Sequence, residues 1–75
     1  MKTREQLHDE AMAHHVRGYE HMRAAHLAHA AEHETEARLA LLQGDHKRVG
    51  HCTGRARFYH DLADDYATML AGRRT

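Results

Sequence analysis

Histidine is the residue type whose number and spacing in this chain point most directly to chemistry. The sequence has ten histidines among 75 residues. Histidine is the commonest metal ligand in proteins, and it is the side chain whose ordinary pKa allows its charge to change near physiological pH. A small protein this rich in imidazole binds a metal, responds to pH or uses histidine for packing, and the sequence leaves all three interpretations open.

The sharpest local pattern is His26-x-x-His29-x-x-x-His33. Residues three and four apart are neighbours on a helix, so His29 and His33 can chelate one ion, with His26 in line one turn earlier. Glu36 follows His33 by three residues and could add a carboxylate. A second copy of the chain would bring a second set of ligands and complete a four-coordinate site for Zn, Ni or Cu. The predicted metal ligands are His26, His29 and His33, with Glu36 as a possible fourth.

A second interpretation is that the histidines only pack. Helical periodicity predicts that six of them face a neighbouring helix, namely His8, His15, His26, His29, His33 and His51. The remaining four are expected in solvent, namely His14, His21, His46 and His60. The protein would then be a non-catalytic structural or interaction module with histidines in an oligomer seam. A pH-sensitive form of this module would dissociate near about pH 5–6 as the imidazoles become charged.

Nothing in the sequence indicates an enzyme. It has no glycine-rich phosphate loop, no Ser-His-Asp order, no cofactor fingerprint and no His-Glu-x-x-His motif. Cys52 follows His51, but adjacent side chains on a helix diverge by about 100°, so the two do not form a catalytic dyad. We expect Cys52 to be buried and inert. We predict no catalytic and no cofactor-binding residues.

Composition limits the partners and the compartment. Eleven basic and eleven acidic residues cancel when the histidines are neutral, whereas a nucleic-acid interface needs a basic excess. No stretch approaches the roughly 20 apolar residues that span a membrane, and residues 1–6 lack the apolar core of a signal peptide. A lone cysteine suits a reducing compartment. We therefore predict a cytoplasmic protein that binds neither nucleic acid nor membranes.

The elements that carry these residues are predicted to be helices. The chain has no proline, no isoleucine and abundant alanine, leucine, glutamate and arginine, which favours an all-α fold. Thr3 and Gln6 form a capping-box pattern, and apart from Gly18 no helix breaker follows before Gly44. The pattern predicts a first helix over about residues 4–42.

The break between the helices is short. Gly44 suits the left-handed conformation that ends a helix, and Asp45 suits the N-cap of the next one. These residues predict a turn over 43–45 and a second helix over about residues 46–71. So short a connection makes the two helices antiparallel neighbours.

The apolar surface is too large for one hairpin. The second helix is the shorter one, so the start of the first helix would overhang. The apolar arc of the second helix has two edges. The first edge consists of Val49, Cys52, Ala56, Tyr59, Ala63, Tyr66 and Leu70. The second edge consists of His51, Phe58, Leu62 and Met69. One partner helix cannot cover both edges. We predict a single domain over residues 1–75, an antiparallel two-helix hairpin that forms a homo-oligomer, with a dimeric four-helix bundle favoured.

The chain also resembles a group of short, uncharacterised bacterial proteins rich in alanine and histidine. Three segments carry the resemblance, namely Ala-Met-Ala-His-His over 11–15, Ala-Ala-His-Leu-Ala-His-Ala-Ala-Glu-His over 24–33, and Gly-Asp-His over 44–46. The second helix departs from the pattern, because Arg55, Arg57, Phe58 and Tyr59 replace an alanine and histidine run. The resemblance implies an oligomeric helical hairpin and no catalytic activity.

Overall fold

A computed structural model describes residues 1–74 of the chain, with side chains through residue 72. Two helices make up the fold, α1 over Arg4–Leu42 and α2 over His46–Arg74. The described residues contain no strand. The predicted all-α hairpin is confirmed, and α1 has the predicted bounds. It continues through Gly18 without a break, while α2 extends past its predicted end at 71.

Local side-chain and backbone contacts define the helix ends. Thr3 Oγ1 accepts a hydrogen bond from the Gln6 amide at 3.1 Å, and the Thr3 amide donates to Gln6 Oε1 at 2.9 Å, which completes the capping box. Gly44 has a φ of 73°, a conformation in which glycine meets little steric cost. Asp45 Oδ1 accepts from the Arg48 amide at 3.2 Å. The predicted caps therefore lie where the two helices end and begin.

The core between the helices is thin. The helices are antiparallel neighbours, with Cys52 opposite Glu36 and Tyr66 opposite Tyr19. The buried hydrophobic residues are mostly small, namely Ala30, Ala40, Cys52, Ala56, Ala63 and Leu70. The hydrophobic contribution to stability scales with the apolar area removed from water. Burial of these small side chains therefore stabilises a single hairpin only slightly.

One side of the hairpin keeps its large apolar residues in solvent. The first predicted edge of α2 packs on α1, but Phe58 is 51% exposed, Met69 is 41% exposed and Leu62 is only half-buried. Met22 of α1, 38% exposed, lies on the same side. We call this side of the hairpin the ring face, formed by Met22 and His29 of α1 and by Phe58, Leu62 and Met69 of α2.

The shape of the molecule follows from the unequal helix lengths. Its extents are 64 × 19 × 12 Å, because α1 has 39 residues and α2 has 29. The first eight residues of α1 are exposed, Leu7 among them, and they project beyond α2. Within the described part of the chain, neither helix has an apolar stretch long enough to cross a membrane.

Candidate functional site

The most organised cluster of functional side chains is a row of aromatic and imidazole rings between the helices. Tyr59 and Tyr66 are seven residues apart and project from one side of α2. His26 stacks on both, with ring centroids 6.0 and 5.6 Å away. The ring of His33 is nearly parallel to Tyr59, at 8° and 5.6 Å. We call this cluster the ring stack, which consists of Tyr19, His26, His29, His33, Tyr59 and Tyr66.

The three predicted metal ligands share one neighbour within the chain. His29 lies 5.1 Å from Tyr59 between ring centroids, so all three histidines contact this tyrosine. They meet it as packed rings. Among the described residues, no group of three or more His, Cys, Asp or Glu side chains has a geometry that could hold a metal ion. A single chain therefore brings the three rings together around Tyr59, and the metal site stays a prediction.

The exposure of the histidine side chains differs from what helical periodicity predicted. In the single chain His26 and His33 are half-buried, whereas His8, His15 and His51 are exposed. His29 also keeps 53% of its side chain in solvent. Within one hairpin, fewer histidines are therefore buried against the other helix than the six that were predicted to face a neighbouring helix. The four histidines expected in solvent are exposed, namely His14, His21, His46 and His60.

Two ring nitrogens in this seam lack partners. Nδ1 of His26 and Nδ1 of His33 are buried without a hydrogen-bond partner among the described residues. Buried polar atoms without partners are uncommon in folded proteins, because losing water without a replacement bond costs about 1–3 kcal/mol. Two in one short seam single out the ring stack as a chemically unusual part of the hairpin.

Two of the histidines have a carboxylate three residues later. His29 Nδ1 lies 3.8 Å from Glu32 Oε2, and His33 Nδ1 lies 3.8 Å from Glu36 Oε2. Turning Nδ1 toward a glutamate leaves Nε2 on the opposite side of each ring. The prediction from sequence used the histidine spacing and omitted Glu32, although residues 29–33 read His-x-x-Glu-His, an order known from zinc-binding helices.

Glu36 also connects the seam to the cysteine. Cys52 is 2% exposed, which confirms its predicted burial. Its Sγ donates a weak hydrogen bond to Glu36 Oε2 at 3.6 Å. The carboxylate oxygen near His33 therefore also accepts from the thiol. This arrangement fixes the Glu36 side chain from the α2 side of the hairpin.

A second polar contact joins the helices on the opposite side. His60 Nε2 and Glu34 Oε1 are 2.6 Å apart, and Arg38 lies 4.0 Å from the same carboxylate. The sequence placed His60 in solvent. It is exposed, and in addition it pairs with Glu34 of the other helix. One side of the hairpin is thus polar, and the other presents the ring face.

We expect His60 and Glu34 to be coupled, but weakly. Both side chains are nearly half exposed, and exposed ion pairs contribute about 0.2–1 kcal/mol. A double-mutant cycle with His60→Ala and Glu34→Ala, measured by urea denaturation, should give a coupling energy in that range. The matched cycle with Asp64→Ala should give a coupling near zero. Equal coupling in both cycles would contradict the observed pairing.

Comparison with known proteins does not identify a family for this chain. No protein-family model, no curated protein and no solved structure matches the chain. The fold and the site together define a two-helix hairpin with one polar side and one aromatic side. Membership of the alanine- and histidine-rich bacterial group stays a prediction.

Proposed function

We propose that this chain is a non-catalytic self-association module in which the ring faces of two copies pack together as a four-helix bundle. The observation that carries the proposal is the uncovered apolar edge of α2, where Phe58, Leu62 and Met69 follow one another along the ring face. Large apolar side chains grouped on one side of a small protein are typical of an interaction surface.

The exposed area supports a partner of substantial size. The chain exposes 5951 Å², whereas a compact monomer of 8.6 kDa is expected to expose about 4,700 Å². The excess, about 1,250 Å², is larger than the roughly 800 Å² that each partner buries in a standard interface. If a second hairpin covered an area of that size, the exposed surface per chain would fall to the value expected for a compact monomer.

Charge favours a second copy of the chain as that partner. On the edge of the ring face that belongs to α1 lie Glu32 and Glu36. On the edge that belongs to α2, the Arg55 guanidinium lies 6.0 Å from the Phe58 ring centroid and 5.7 Å from that of Tyr59. A two-fold axis parallel to the helices places each α1 opposite the partner's α2, so the acidic edge of one copy meets Arg55 of the other.

The proposed association depends on pH through the total charge. With neutral histidines the net charge is zero, and protonating all ten adds ten positive charges to each chain. Two chains in contact then repel one another. The neutral form is the one that associates, so association is present at higher pH and is lost as the pH falls. This argument depends on the total charge and not on any one imidazole.

Sedimentation velocity in the presence of a chelator tests the proposal. We expect twice the chain mass of 8.6 kDa at pH 8 and the chain mass at pH 5. Added salt at pH 5 should partly restore the dimer, because salt screens repulsion between exposed charges. A monomer at both pH values would refute the association. A dimer at both would refute its dependence on pH.

A further inference from the structure

We infer that two associated copies bind one divalent first-row transition ion between them, through Nε2 of His29 and His33 from each copy. The inference rests on the proposed self-association, and it narrows the predicted ligands to two histidines from each copy. It is carried by the ring geometry of this pair, by the two glutamates beside them and by the place of His29 on the ring face.

The pair is already oriented within one chain. His29 and His33 are one helical turn apart, and both pack on Tyr59, which restricts their rings. A metal-binding histidine usually donates its second ring N–H to a carboxylate, which fixes the ring and raises its basicity. Glu32 and Glu36 are placed to do this, with each Oε2 3.8 Å from the Nδ1 of its histidine. A small rotation of either side chain closes that gap to hydrogen-bond length.

This assignment changes the roles of two predicted ligands. Glu36, a possible fourth ligand in the prediction, lies beside Nδ1 of His33 and also accepts from Cys52, so it acts as a positioning residue. His26 lies between Tyr59 and Tyr66 and belongs to the packing. His29 has the most exposed side chain of the three, and it lies on the ring face.

The second copy supplies the missing half of the site. Two nitrogens from one helix leave a tetrahedral ion two ligands short. The two-fold axis parallel to the helices that pairs Arg55 with the acidic edge also brings the His29 and His33 pairs of both copies to the same level along the bundle. Four neutral imidazoles suit Zn²⁺, Ni²⁺ or Cu²⁺. We therefore expect one ion for every two chains.

Calorimetric titration of the full chain with Zn²⁺, after removal of any tag, tests the inference. Wild type should bind one ion per two chains with sub-micromolar affinity. His29→Ala should abolish this binding, and Glu32→Gln should weaken it about 10- to 100-fold through loss of the second-shell bond. His21→Ala removes an exposed histidine from the same helix and should change neither value. Circular dichroism of each variant checks that the hairpin is intact.

The outcomes separate this inference from the proposal on which it rests. A dimer in chelator whose Zn²⁺ binding is indifferent to His29→Ala, or reaches one ion per chain, would overturn the metal site and leave the association standing. A chain that is monomeric in chelator but dimerises with Zn²⁺ would overturn the apolar association and support the metal site. A chain that is monomeric with and without Zn²⁺ would overturn both.

Discussion

Replacing Phe58 by glutamate is expected to convert the dimer into monomers. Phe58 is half exposed in the single hairpin and lies within the ring face, which the second copy covers in the proposed bundle. Burying a carboxylate in such a seam removes its hydration, which Arg55 beside it offsets only in part, at a cost of about 3 kcal/mol, and two-fold symmetry buries two. The dimer Kd should therefore rise by more than about a hundredfold. Sedimentation velocity over a range of concentrations measures the change.

Leu41→Glu is the matched control for this variant. Leu41 is 60% exposed and Phe58 is 51% exposed, so both substitutions remove a similar apolar area and add the same charge. Leu41, however, lies seven residues after Glu34 and three after Arg38, which places it on the polar side of α1. Its variant should remain dimeric, and both variants should keep the helical content of wild type. If the two variants dissociate equally, or neither dissociates, the ring face is not the interface.

Tyr59→Ala should have the largest effect on the stability of the hairpin itself. The Tyr59 ring contacts the rings of His26, His29 and His33. Removing a fully buried aromatic ring costs about 3–5 kcal/mol. Since Tyr59 is half-buried, we expect the free energy of unfolding to fall by about 2–4 kcal/mol. That is a large part of the total for a domain of this size.

Urea denaturation followed by far-UV circular dichroism measures this loss, at one fixed protein concentration because association adds to apparent stability. Tyr59→Phe is the control, since it keeps the ring and removes only the hydroxyl. We expect it to cost less than about 1 kcal/mol. A Tyr59→Ala variant as stable as Tyr59→Phe would show that the ring stack does not hold the helices together.

The helix boundaries could be predicted because their causes are local. Thr3 and Gln6 satisfy one another within a single turn. Gly44 adopts its left-handed conformation at the turn itself. Neither feature depends on how the two helices are rotated about their axes, so residue types at short spacing were sufficient. The wide apolar arc of α2 could also be predicted, because it depends only on the spacing of residues along one helix.

The contacts of the site could not be predicted in the same way. A helical wheel gives the direction of His29 or His60 on its own helix, but not the rotation of the other helix against it. For this reason the pairing of His60 with Glu34 and the shared contact with Tyr59 were not found. Glu32 was missed for another reason, because its His-x-x-Glu-His context was readable and only the reverse order was sought.

The composition of the ring stack has an optical consequence. The chain has three tyrosines and no tryptophan, and all three tyrosines belong to the stack. The intrinsic ultraviolet fluorescence of this protein therefore originates in the seam where association and ion binding are proposed, with no contribution from tryptophan elsewhere. Tyrosine fluorescence can therefore report on changes in the ring stack without any added label.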